Sequence, residues 1–183
     1  MKQGGAMGEV TLRAATGADH AAVWDILRPV FRAGETYAID PAISEDAALA
    51  YWFGPEREVR VAEVAGRVLG SYYIRPNAEG GGAHVCNCGF VTDGAAQGKG
   101  VARAMLAEAL DRAARSGYLA MQFNFVISTN TRAIRLWETA GFAVAGRLPG
   151  AYLHPTLGYV DALVMYRRLR TDSAPQPLCP QPL

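Results

Sequence analysis

The stretch DGAAQGKGVARAML, residues 93–106, sets three glycines and two alanines around Gln97 and Lys99 and then runs directly into a helical pattern. A strand that opens through glycines into a helix exposes unpaired backbone N–H groups at the positive end of the helix dipole, and phosphate oxygens satisfy both needs. Anion binding is the natural use of such an entry. Two familiar phosphate loops fail on spacing. Gly94 to Gly98 encloses three residues instead of four, and Gly100 replaces the Ser or Thr that would follow Lys99 in a nucleoside-triphosphate loop. The dinucleotide pattern fails because Arg103 stands where its third glycine belongs. From this loop alone, an ordinary glycine-rich turn stays open beside the anion site.

Upstream, EVTLRAAT reads as an opening strand, and TGADHAAVWDILRPVFRAG as a first helix with Thr16 and Asp19 as a capping box and Gly34 as its stop. Ser44, backed by Glu45 and Asp46, caps a shorter second helix ending before Gly54-Pro55. REVRVAEVAG, RVLGSYYIRPN and AHVCNCGFVT are β-rich and separated by turn glycines, which predicts an antiparallel meander of three strands. From Gly98 the period changes: Val101, Met105, Leu106, Ala109, Leu110 and Ala113 form a helical stripe that stops at Gly117. LAMQFNFV returns to a strand, TNTRAIRLWETAGF is the last helix, and FAVAGRL and YVDALVMYRRL complete the sheet. The order β-α-α-β-β-β-α-β-α-β-β predicts an α+β fold, a mixed sheet with helices packed against it. Residues 1–170 are expected to form a single domain, and the proline-rich 171–183 a disordered tail.

Half of the 183 residues are hydrophobic, enough to bury a real core in one unit. Eighteen Lys plus Arg against seventeen Asp plus Glu leave no global basic field for nucleic acid or an anionic membrane. MKQGGAMGEV has no apolar leader core and no run approaches a membrane span, so the expected location is cytoplasmic. Cys86, Cys88 and Cys179 make neither an even disulfide framework nor a four-ligand zinc set, and no metal is expected. Alternation puts Cys86 and Cys88 on one strand face as buried packing residues.

Gln97-Gly98-Lys99-Gly100-Val101-Ala102 resembles the Q/R-x-x-G-x-G/A coenzyme A pyrophosphate loop of the GNAT N-acetyltransferases. NTRAIRLWETAGF resembles that superfamily's later N-x-x-A-x-x-L-Y-x-x-x-G-F segment, in the right order, and the resemblance covers the core from about Val59 to Leu169. It implies a GNAT-type, mostly antiparallel sheet with helices on both faces and acetyl-CoA as co-substrate in a V-shaped gap. Main-chain groups of Phe90, Val91 and Thr92 then pair with the pantetheine arm, and amides of Gly98, Lys99, Gly100, Val101 and Ala102 take the pyrophosphate. Gln97 and Lys99 line the approach, and Asn130, Ala133 and Trp137 line the cofactor side of the last helix. A closer likeness is to the proline-analogue (azetidine-2-carboxylate type) acetyltransferases of fungi and their bacterial relatives, whose three functional asparagines match Asn87, Asn124 and Asn130. Asn87 and Asn124 are thereby the expected catalytic pair that also orients the acceptor. AGETYAIDP resembles the same relatives and makes Glu35, Thr36 and Tyr37 candidate substrate contacts; His154 and Tyr159 lie in a second such segment. By alternation, Asn87 faces away from Cys86 and Cys88. Asn130 can equally be a plain helix cap, whereas mid-strand amides at Asn87 and Asn124 need partners.

Acyl transfer from a thioester to an amine needs a neutral nucleophile, a stabilised oxyanion and a tolerable leaving group. A backbone N–H near Val91 or Thr92 is the expected oxyanion donor, an interaction typically worth ~3 to 4 kcal/mol. Trp137 replaces the tyrosine that many GNAT enzymes use as acid, although a thiolate of pKa ~8.5 is already a fair leaving group. Tyr152 and Tyr159 are substitutes whose position the sequence does not give. The strand of Asn87 carries no carboxylate base. An amine of pKa ~8 is roughly one-tenth neutral at pH 7, a penalty of ~1 kcal/mol, against almost ~5 kcal/mol for an amine near ~10.4. The acceptor therefore has a low pKa, or a water held by Asn87 and Asn124 carries the proton out. Glu35 and Asp161 are reserve bases, Asp161 the more structural. The leading expectation is an N-acetyltransferase that moves acetyl from acetyl-CoA to a small amino acid, proline analogue or related amine. Alternatives are a protein N-terminus or antibiotic-type amine as acceptor, and a non-catalytic acyl-CoA sensor. A homodimer stays open as an option, since relatives of this kind are often dimers.

Overall fold

Period-two patterning and turn chemistry build the first half of the sheet. The computed structural model describes residues 9–96 and 98–169, so the expectations for Gln97, Cys179 and the proline-rich tail fall outside the described residues. β1 (Val10–Ala14), β2 (Glu58–Val64), β3 (Arg67–Pro76) and β4 (Val85–Thr92) are successive antiparallel neighbours, the expected meander with one strand added at its outer edge. Ala65 and Gly66 turn β2 into β3 at φ 52° and 75°, the doubly left-handed turn whose twist suits a hairpin.

After β4 the chain needs a crossover, because parallel neighbours cannot be joined by a tight turn. α3 (Val101–Arg115) supplies it and leads into β5 (Ala120–Ile127), which lies parallel to β4. α4 (Thr131–Thr139), β6 (Ala143–His154) and β7 (Gly158–Arg168) finish a seven-stranded sheet ordered β1-β2-β3-β4-β5-β7-β6. The architecture is the mixed, mostly antiparallel α+β sheet that the sequence predicts. β6 runs beyond FAVAGRL to His154, because the register shift between Leu148 and Tyr152 accommodates Pro149, which has no ladder donor. Asp161 holds that bulge by accepting from the Gly150 amide at 2.9 Å and from Arg147 at 2.6 Å. Those two contacts draw its carboxyl below the ordinary range and confirm its structural role.

Each face of the sheet buries its own layer. α1 (His20–Ala33) and α2 (Glu45–Trp52) pack Leu27, Phe31 and Trp52 against Val61, Tyr73 and Val91. α3 and α4 pack Met105, Ala109 and Trp137 against Tyr72, Cys88 and Phe123 on the opposite face. Cys86 and Cys88 lie in this second layer at 0% and 6% exposure, and burial pushes the Cys88 thiol up, so both are packing groups. Gly70 sets the depth of α3: a Cβ there would lie 2.9 Å from the Met105 sulfur. The caps are as the sequence predicts. Asp19 accepts from the Thr16 amide at 2.7 Å, Ser44 from Ala47 at 3.2 Å, and Gly34 ends α1 at φ 63°.

Candidate active site

β4 and β5 pair only at Val85↔Ala120, Cys86↔Met121 and Asn87↔Gln122, and then part. At the last pair the Asn87 amide group donates to the Gln122 carbonyl at 2.9 Å and clasps the apex of the resulting gap. The β3–β4 ladder is bracketed by Asn77 N–H to Val85 O and Asp93 N–H to Leu69 O. Antiparallel alternation therefore points the odd-numbered backbone groups of β4 at β3 and those of Cys88, Phe90 and Thr92 into the gap. Of the two expected oxyanion donors, Val91 is withdrawn, because its amide faces β3. Thr92 and Phe90 keep theirs toward the gap.

Toward the end of β4 the gap widens into a cavity of about 680 Å³ bounded by Thr92, Gly98, Gly100, Val101 and Ala102. Gly98 and Gly100 take φ 76° and 73°, and Gly100 is the residue from which α3 starts. The first-turn amides of Val101, Ala102 and Arg103 have no acceptor within the helix. Lys99 is a correction to the expected set. Its amide donates to the Ala96 carbonyl at 3.0 Å, and its exposed side chain does not line the cavity. Arg103, Arg132 and Arg135 do line it, and among the described residues none of the three is in an ion pair. Free helical amides and three unpaired guanidiniums fit an anionic, phosphate-bearing ligand. Sequence reading missed these arginines. The spacing of Arg132 and Arg135, one helical turn apart, was the available signal.

A smaller cavity of about 260 Å³ continues inward, sharing Thr36, Phe90, Asn130, Ala133 and Trp137 with the larger one. Asn87 lines it at 7% exposure. Asn124 lies on its exposed rim, donating to Asn77 at 2.7 Å and accepting from Gln122 at 2.8 Å. Asn77 and Gln122 are thus the partners that a mid-strand amide requires. Asn130 does cap its helix, its carbonyl oxygen accepting from the Ala133 amide at 3.2 Å, and its NH2 group remains for the gap. Thr36 and Tyr37 reach the cavity, whereas Glu35 is exposed and lines neither cavity, because Gly34 turns the chain outward before it. The Tyr152 hydroxyl donates to the Gly34 carbonyl at 2.6 Å and Tyr159 is 76% exposed, so neither stands in for the missing tyrosine acid.

The phenols that do line the smaller cavity are Tyr37, Tyr51 and Tyr73. Tyr37 donates to the Phe90 carbonyl at 2.7 Å, and the Tyr51 and Tyr73 hydroxyls lie 3.4 Å apart. Burial, with neighbouring phenols adding to it, raises the Tyr37 and Tyr73 pKa values above the usual phenol range, so both remain donors across the working pH range. Among the described residues no Asp or Glu lines this cavity, and Arg75 is its one charged side chain. No cluster of metal-ligating side chains occurs among the described residues, and no described helix is long and apolar enough to cross a membrane.

Comparison with known proteins agrees with this arrangement. Residues 20–142 match the family model described as Acetyltransferase (GNAT) family. The chain is 32% identical over 148 residues to N-acetyltransferase aca1 of Schizosaccharomyces pombe, covering 72% of this chain and 71% of that protein. A GCN5-related N-acetyltransferase from Kribbella flavida superposes with a TM-score of 0.83 at 44% identity, covering 87% of this chain and 97% of that one. The yncA protein of Salmonella typhimurium, solved with its cofactor acetyl-CoA, superposes with a TM-score of 0.79 at 26% identity, over 93% and 99% of the two chains.

Proposed function

The chain belongs to the acetyltransferase (GNAT) family, and from that premise we propose that it transfers acetyl from acetyl-CoA to the amine of a small amino acid, proline analogue or related small molecule. Acetyl-CoA is the co-substrate of this N-acyltransferase. One observation carries the acceptor reading: the larger cavity, at the free amides of α3, opens into a second of only about 260 Å³ that ends at Asn87. A volume of that order suits a compact amine beside a thioester.

In this reading the amides of Val101, Ala102 and Arg103, with Gly98 and Gly100 making room, hold the pyrophosphate, and Arg132 and Arg135 neutralise further phosphate charge. The backbone groups of Phe90 and Thr92 and the NH2 group of Asn130 pair with the pantetheine arm. Gap-facing amides on β4 stabilise the oxyanion as the amine attacks the thioester carbon, the C–S bond breaks and the thiolate leaves. Trp137 supplies no proton. The single Tyr37 hydroxyl proton is committed to the Phe90 carbonyl, so the sulfur departs as the thiolate. The Asn87 NH2 group is engaged with Gln122, so its carbonyl oxygen is the acceptor that orients the amine N–H. With no carboxylate lining the cavity, the amine's proton leaves through water at the Asn87–Asn124 rim.

Thiol release from acetyl-CoA against a panel of amino acids and proline analogues tests this. At least one α-amino or imino acid is expected to support turnover, with Asn87→Ala lowering kcat/KM about 100-fold, the scale of losing an orienting contact in the transition state. Turnover with none of the panel, by folded protein that binds acetyl-CoA, would overturn the small-acceptor reading.

A further inference from the structure

Arg75 projects from β3 directly opposite Asn87 in the sheet register and lines the inner cavity. Its Nε is buried with no hydrogen-bond partner, and among the described residues its side chain makes one hydrogen bond, 3.3 Å from Nη1 to the Pro76 carbonyl. A buried guanidinium donor without an acceptor is costly unless a ligand supplies one. Behind it, the Arg57 guanidinium stacks on the rings of Tyr51 and Tyr73 at 4.1 Å and 4.3 Å, and its Nη1 is also buried and unpartnered. The lining thus carries positive charge, phenol donors and no described carboxylate. Arg60 also has a buried Nε without a hydrogen-bond partner, but its guanidinium is in an ion pair with Glu108, whereas Arg75 is in no ion pair among the described residues.

We propose that Arg75 is the anchor for a carboxylate on the acceptor, and that the acceptor class is therefore amines bearing a neighbouring carboxylate, the α-amino and imino acids. This rests on the acetyl-transfer reading above and narrows it. Cross-strand neighbours stand about 5 Å apart, so a carboxylate held by Arg75 places an amine one carbon away beside Asn87 and Gly89, facing the open backbone of β4. The arrangement also bears on the missing base. A free α-carboxylate stabilises the adjacent ammonium; pairing it with Arg75 removes that stabilisation and favours the neutral nucleophile. The titratable groups whose side chains face this amine are the phenols of Tyr37, Tyr51 and Tyr73 and the guanidinium of Arg75; the Cys88 thiol points to the opposite sheet face. β5 contributes no titratable group there.

The test compares an amino or imino acid that supports turnover with its own carboxamide, on the wild type and on Arg75→Gln and Arg75→Lys. Protonation alone favours the carboxamide, whose amine is the less basic. The wild type is expected to prefer the acid in kcat/KM by about 100-fold, the scale of a charge-assisted paired hydrogen bond. Arg75→Gln should bring that ratio below about 10-fold, mainly through the acceptor KM, with Arg75→Lys intermediate because it keeps the charge without the fork. The KM for acetyl-CoA should stay within about threefold, since Arg75 is remote from the α3 amides. Equal use of acid and carboxamide by the wild type would overturn the Arg75 assignment while leaving acetyl transfer intact. A retained acid preference in a folded Arg75→Gln protein would do the same. Absence of turnover with any amine would instead remove the reading beneath it.

Discussion

Position 89 has no room for a side chain: a Cβ would lie 2.4 Å from the Tyr73 ring. Gly89 and Tyr73 are cross-strand partners, so the missing side chain on β4 is what lets the phenol of β3 lie across the strand toward the inner cavity. Gly89→Ala should push Tyr73 and its Tyr51 contact aside. Overpacking of this kind costs about 1 to 3 kcal/mol, to be read as an earlier urea midpoint, together with a tenfold or greater fall in thiol-release kcat/KM, about 1.4 kcal/mol in the barrier. Wild-type activity and stability in that variant would remove Tyr73 from the acceptor site. At this scale Asn87 was a candidate through its likeness to a functional asparagine of the family, and strand alternation added that it faces away from Cys86 and Cys88. Arg75 was not, since its meaning comes from Asn87 standing opposite it on another strand and from the absence of a partner.

The start of α3 shows how an element makes a site. Gly100 takes φ 73° at the N-terminal boundary with nothing within 4 Å of a would-be Cβ, so the constraint there is conformational and not one of space. Gly100→Ala should cost about 1 to 2 kcal/mol in that left-handed position and tilt the first-turn amides. The expected result is a rise of about tenfold in the KM for acetyl-CoA with kcat little changed, measured at saturating acceptor. An unchanged KM would separate the loop from phosphate binding. Helices, caps and hairpin turns of this chain could be read from local signals, since a cap or a left-handed turn is a matter of a few neighbouring residues. The reach of β6 past Pro149 could not, because the bulge that admits the proline is made by Asp161 on the partner strand.

Across the whole molecule, Arg13 ties the entrance of α1 to the sheet, donating to Asp19 at 2.8 and 2.7 Å and to Glu63 of β2. The Arg13 hydrogen bonds, aided by Thr16 and opposed by burial, hold the Asp19 carboxyl well below the usual carboxylate range. A carboxyl depressed in the folded state adds stability that is fully present above its unfolded pKa of about 4 and is lost as pH falls toward the folded value. Asp19→Asn should therefore cost about 2 kcal/mol near neutrality, and its urea midpoint should converge on the wild type's as the pH is lowered below about 4. A difference that stays constant over that range would rule out the ion pair as its source. What the sequence by itself determined is the order of elements, the mixed sheet with helices against it, and that Asn87 faces away from Cys86 and Cys88, all of which follow from periodicity and turn residues close in the chain. The tertiary structure alone decided that Val91 points its amide at β3, that Lys99 and Glu35 stay outside the cavities, and that Arg75, Tyr51, Tyr73 and the arginines of α4 line them. Those facts depend on strand register and on where β4 and β5 separate, which are relations between distant segments that no local pattern encodes.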